Sequence, residues 1–90
     1  METIELKDIQ RILPKLDLLK AMEDGFANYS KGLVRVPPVA EMLFEKGEVH
    51  IKYGYVDGGR NYVIKVASGF YSNQELGLPT SNGLMLLFSQ

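Results

Sequence analysis

A chain of 90 residues with 46% hydrophobic side chains and a net charge of -1 is one small domain, long enough to bury roughly 60 to 70% of its unfolded surface but with little margin. Balanced charge argues against a dedicated nucleic-acid or polyanion binder. The absence of cysteine excludes disulfides and thiolate metal sites, and a single histidine, His50, with no carboxylates at ligand spacing, gives no zinc site.

The N-terminus is charged from Glu2 onward and carries no positive-then-apolar signal segment. Thr3-Ile4-Glu5-Leu6 alternates polar and apolar, which predicts a short strand. Asp8 then caps a brief helix over Ile9–Leu13, ended by Pro14. Between Leu16 and Tyr29, Leu18, Leu19, Met22, Phe26 and Tyr29 recur three or four residues apart, one face of an amphipathic helix. Lys15, Asp17, Lys20, Glu23, Asp24 and Asn28 fall mostly on its other side, and Gly32 is placed to stop it. Gly25 weakens this helix by up to ~1 kcal/mol relative to alanine, so packing against a sheet is needed to hold it. The aromatic stripe reads as core rather than as a cofactor box.

Val36-Pro37-Pro38 forbids helix and removes two backbone donors, as in an extended lead-in at a sheet edge. Val39 to Glu45 alternates, with Val39, Glu41, Leu43 and Glu45 on one side and Ala40, Met42 and Phe44 on the other. Lys46-Gly47 turns the chain into a hairpin from Glu48 to Phe70. Its strands, Val49–Tyr55 and Tyr62–Ala67, flank Val56-Asp57-Gly58-Gly59-Arg60-Asn61, where Asp-Gly and Gly-Gly both suit a tight turn. A Gly58-Gly59 loop sets Tyr55 opposite Tyr62, Tyr53 opposite Ile64 and Lys52 opposite Lys65. An Asp57-Gly58 loop slips the register by two and sets His50 opposite Lys65. In either register His50, Lys52 and Lys65 share a face, and their neighbours Gly54, Val63 and Ala67 offer no carboxylate.

Like charges directly opposite destabilise a strand pair by a few tenths to about 1 kcal/mol. The expectation is that this face binds an anion, most simply a substrate carboxylate; the alternative is two lysines pointing into water. Asp57 and Arg60 read as residues flanking the turn. As an isolated strand histidine, His50 suits structure better than general-base work.

Tyr71–Thr80 reads as a polar loop punctuated by glycine and proline. Gly83–Ser89 is a continuous apolar strand, expected to be buried on both faces. The longest apolar run, Leu84–Phe88, is far too short to cross a bilayer, and the expected setting is soluble and cytoplasmic. The fold class is α+β: two N-terminal helices packed on an antiparallel sheet of about four strands. Two modest helices cover only one face of such a sheet. Either the chain is the N-terminal piece of a longer protein, or it dimerises through the uncovered face.

Five stretches in this order, Val36-Pro37-Pro38, Glu45 to Lys52, Val63-Ile64-Lys65-Val66, Gly69 to Asn73, and Gly77-Leu78-Pro79-Thr80 followed by Gly83 to Leu87, resemble the N-terminal domain of the ornithine cyclodeaminase/mu-crystallin family. The helix ending Gly25 to Gly32 is similar to that family's second helix. The resemblance spans essentially all ninety residues but only the first quarter to third of a family member. It implies that residues 1–90 are the substrate-binding and dimerisation domain of a homodimer, with a Rossmann domain for NAD or NADP beyond Gln90. It also implies that Lys65 binds the substrate carboxylate and that Thr80 lies near the nicotinamide. The implied chemistry is ammonia-releasing cyclisation, amino-acid dehydrogenation or ketimine reduction, with a non-enzymatic ligand-binding protein of the mu-crystallin kind as the alternative.

The chain departs from the pattern where cyclodeaminases proper carry an arginine after the proline, because Pro38 or Val39 stands there. It departs again near His50, where ornithine-specific members carry glutamate. Lys52 offers a replacement positive charge. The Arg-Thr motif, the glycine-rich dinucleotide loop and the catalytic aspartate all fall beyond Gln90. The ninety residues therefore hold no catalytic residue, and the fragment alone is expected to be inactive.

Overall fold

The computed structural model describes Met1–Gln90 and divides into a helical unit, Met1–Lys31, and a sheet unit, Gly32–Gln90. In the first, α1 (Leu6–Ile12) starts three residues earlier than its sequence predicts. Glu5 caps it. The Glu5 backbone N–H donates to Asp8 Oδ2 at 3.3 Å, and the Glu5 side chain reciprocates toward the Asp8 backbone. That capping box satisfies the free donors of the first turn, whereas a strand over Thr3–Leu6 would have had no partner. Asp8 is thus the third residue of the helix rather than its cap. Pro14 lies in the 3-10 turn Leu13–Lys15 that follows.

Asp17 caps α2 (Leu18–Ser30), its Oδ1 accepting from the Lys20 N–H at 3.0 Å. Gly32, at φ +75°, lies just beyond the helix's end. The stripe expected as core stays open, with Leu19 at 79% and Phe26 at 73% exposure. Two helices in 31 residues cannot enclose it.

The second unit is an antiparallel sheet of five strands rather than about four: β1 (Val34–Arg35), β2 (Ala40–Phe44), β3 (Gly47–Val56), β4 (Asn61–Gly69) and β5 (Ser81–Ser89). β1 and β2 lie end to end along one edge of β3, and β4 and β5 follow on its other side. The extra strand, β1, comes from the approach to the prolines. Between the pairs Arg35↔Tyr55 and Ala40↔Ile51, residues 36–39 oppose residues 52–54, so the edge strand carries one residue more than its partner. Pro37 and Pro38 sit in that bulge, at a sheet edge where their missing donors break no ladder. Gly54 lies alongside: a Cβ there would come within 2.6 Å of the Arg35 carbonyl oxygen, so only glycine admits the edge strand.

Phe44 pairs with Gly47 across the two-residue turn Glu45-Lys46, and rings Phe44 and Phe70 pack 5.7 Å apart beside it. The central hairpin takes the first of the two registers, with Tyr55 opposite Tyr62 and Lys52 opposite Lys65. Its loop is tightened by the Gly59 N–H donating to the Val56 carbonyl at 2.9 Å, with Gly58 at φ +72°. An Arg35–Asp57 ion pair of 2.8 Å and the Gln90 amide, which donates to the Val56 and Asn61 carbonyls, brace the same loop. The expected Tyr71–Thr80 loop instead contains a 3-10 helix, Tyr71–Leu76, closed by Gly77 at φ +70°. Asn73 ties it down, donating through Nδ2 to the Pro79 carbonyl at 3.1 Å.

β5 is the outer strand and is exposed along its whole length, contrary to the burial on both faces that its composition predicts. An apolar composition states what a strand needs, and here one side has no neighbour. Across both units no hydrophobic side chain is buried.

Candidate functional site

Strand pairing divides the sheet into two unlike faces. One carries Val49, Ile51, Tyr53 and Tyr55 of β3, Tyr62, Ile64 and Val66 of β4, and Leu84, Leu86 and Phe88 of β5, where Tyr62 and Phe88 stack with centroids 4.9 Å apart. The other carries Glu41, Glu48, His50, Lys52, Lys65, Ala67, Gly69, Ser81, Gly83 and Met85. The candidate site is on this polar face.

A pocket of about 440 Å³ opens there, lined by Glu48, His50 and Lys65, by Tyr71 after β4, and by Ser81 to Gly83 of β5. It exists because three adjoining positions are small. Ala67 pairs with Gly83 and lies opposite His50, while Gly69 lies opposite Glu48 and Ser81. At Gly83 a Cβ would meet the Val66 carbonyl oxygen at 2.7 Å, and at Gly69 it would meet the Tyr71 hydroxyl at 2.8 Å. The absent side chain at Gly69 lets Tyr71 lie back over the strand, where its hydroxyl donates to Glu48 Oε1 at 3.4 Å.

The predicted site residues fall as follows. His50 and Lys65 both line the pocket. Lys52 shares their face and pairs with Lys65, but lies outside the pocket lining. Neither lysine has a carboxylate within ion-pair distance; the chain's pairs are Lys7–Glu5, Arg11–Asp8, Lys20–Asp24, Arg35–Asp57 and His50–Glu41. Thr80 stands one residue before β5, half-buried, its carbonyl accepting from the Phe70 N–H at 2.8 Å, and is not part of the lining.

The expectation of a face without carboxylates needs correction. β2 lays Glu41 directly opposite His50, and Glu41 Oε2 lies 3.1 Å from His50 Nε2. Glu48 adds a second carboxylate inside the pocket. Glu41 was not visible from the hairpin alone, because it comes from the neighbouring strand; Glu48 was, because alternation puts the hairpin's first residue on the face of His50. The two-residue turn Glu45-Lys46 was the available signal: closing the strands there pairs residue 44 with 47, and counting back from it pairs 41 with 50. Tyr71 had no signal, since only the backbone's path past Gly69 brings it in.

Lys65 is well suited to an anion: a compact charge, held on a central strand, with no internal partner. No group of three or more histidine, cysteine or acidic residues is gathered for a metal ion. The only adjacent glycines, Gly58-Gly59, lead from one strand into another, whereas a phosphate-binding glycine loop opens onto a helix N-terminus.

No protein-family model matches the chain. Curated relatives do. The chain is 33% identical to an uncharacterized cyclodeaminase of Sinorhizobium fredii, over 99% of its own length and 28% of that protein's. It is 29% identical to an alanine dehydrogenase of Archaeoglobus fulgidus with the same coverage. Among solved structures it superimposes on an archaeal alanine dehydrogenase dimer with bound NAD at a TM-score of 0.71 and 31% identity, covering 78% of this chain and 21% of that one. The chain therefore spans little more than a quarter of the length of the curated relatives it matches, and its α+β architecture is that of their N-terminal region.

Proposed function

We infer, for a chain whose full length matches an ornithine cyclodeaminase-like N-terminal segment, that it supplies the substrate-binding and dimerisation part of an NAD(P)-dependent enzyme acting on a small amino or imino acid. The observation that carries this reading is Lys65: a lysine without an internal partner, on a central strand, lining a pocket floored by Ala67, Gly69 and Gly83. Its ammonium receives the substrate carboxylate, and the rigid sheet holds that carboxylate in one place. Lys52, one strand across, adds positive potential, and His50 borders the same space. Binding NAD or NADP and the chemical step fall to parts of the enzyme outside these ninety residues. We assign Thr80 to the nicotinamide's neighbourhood on the strength of the Gly77-Leu78-Pro79-Thr80 match. The second copy in the dimer is assigned to the exposed apolar surface, consistent with the dimeric alanine dehydrogenase the fold resembles. A soluble protein acting in the cytoplasm fits this role, and no helix is long and apolar enough to cross a membrane.

The test is titration calorimetry of the intact protein with small amino-acid carboxylates. A hydrogen bond to a charged group contributes about 1.5–3 kcal/mol, so Lys65→Met is expected to weaken carboxylate binding at least ~10-fold. Unchanged affinity would remove the reading.

A further inference from the structure

The pocket that holds Lys65 also holds an opposite charge, and the two do not neutralise each other. Glu48 and Lys65 line one space of about 440 Å³, yet no ion pair joins them, and neither pairs with any other charged side chain. Glu48 accepts only from the Tyr71 hydroxyl, at 3.4 Å, a long contact that leaves acceptor capacity on its carboxylate. The other acid of this face is already engaged, because Glu41 holds His50 Nε2 at 3.1 Å. Between Lys65 and Glu48 the floor is Ala67, Gly69 and Gly83, and the His50 ring beside it is held by Glu41, which leaves room for a ligand. A pocket with a cation at one place and an anion at another, unpaired with each other, is complementary to a ligand that carries both.

We propose that Glu48, steadied by the Tyr71 hydroxyl, receives the ammonium group of a zwitterionic amino acid whose carboxylate lies on Lys65. This deepens the carboxylate reading above and rests on it. The structure thereby assigns the pocket to an amino acid in its charged form rather than to a simple carboxylic or 2-oxo acid. A deaminated acid satisfies Lys65 but leaves the Glu48 carboxylate facing a ligand that carries only negative charge.

The test is calorimetry of the intact protein against matched probes: L-alanine with propionate, and L-leucine with 4-methylpentanoate. For at least one pair the amino acid is expected to bind at least tenfold more tightly than its deaminated partner. E48Q should cut that ratio at least fivefold while leaving the deaminated acid's affinity within twofold, and E48D, which keeps the charge, should retain most of the preference. K65M should weaken both members of the pair. If K65M weakens both but E48Q leaves the ratio unchanged, this proposal is overturned and the carboxylate reading stands. If K65M changes neither, the carboxylate reading fails and this proposal falls with it. Should E48Q not fold, equal affinities of the unmodified protein for both members of every pair overturn the proposal by themselves.

Discussion

Lys52 and Lys65 stand directly across from each other on β3 and β4, both exposed and both without a carboxylate partner. Such a pair costs a few tenths to about 1 kcal/mol when nothing negative lies over it. Lys52→Met is therefore expected to raise the stability of the ligand-free intact protein by up to ~1 kcal/mol in urea denaturation, with the gain shrinking when a bound carboxylate screens the lysines. An unchanged difference with and without ligand would show that the anion binds elsewhere. Ala67 makes the second residue-scale case. Ala67→Leu adds bulk to the pocket floor without touching a charged group, and the expected result is at least tenfold weaker amino-acid binding with an unchanged circular dichroism spectrum. The lysines were legible from the hairpin because strand alternation is strict. Glu41 was not, because its place opposite His50 depends on a different strand's register.

At the level of elements, local chemistry explains most of what formed. The Asp17 cap of α2 satisfies one of the free donors of the first turn, and Asp17→Ala should cost about 1 kcal/mol in thermal or chemical unfolding. Gly25, in the middle of the same helix, has nothing within 4 Å of where a Cβ would stand. Gly25→Ala is accordingly expected to stabilise by up to ~1 kcal/mol; a loss instead would mean that another part of the protein presses on that position. Gly58 is the reverse case, because its φ of +72° disfavours any side chain, and Gly58→Ala should destabilise by roughly 1 kcal/mol. The strand expected at Thr3–Leu6 failed because four alternating residues carry less information than a reciprocal cap between Glu5 and Asp8. The 3-10 helix at Tyr71–Leu76 was hidden among polar loop residues, since its stop at Gly77 and its tie through Asn73 are set by the path back to β5.

For the whole molecule the governing fact is exposed apolar surface. Large side chains on both units lie open, among them Leu19, Phe26, Leu76, Met85 and Leu87, and a nine-residue outer strand leaves one edge unpaired. Surfaces of this kind mark places where other protein docks. The ninety residues expressed alone are expected to bind an apolar dye and to self-associate as concentration rises, by light scattering. A monodisperse monomer without dye binding would sink the assignment of this surface to a second copy or to the remainder of a longer protein.

By itself the amino-acid sequence determined the α+β class, the amphipathic second helix, the central hairpin and the common face of His50, Lys52 and Lys65. All four follow from periodicity and turn chemistry, which act over a few neighbouring residues. Only the tertiary structure decided the hairpin register, the bulge at Pro37-Pro38, the contact of Glu41 with His50 and the approach of Tyr71 to Glu48. These depend on which strands lie side by side and on where missing side chains at Gly54 and Gly69 let backbone or ring come close. Pairing across strands joins residues far apart in the chain, and no local pattern records it.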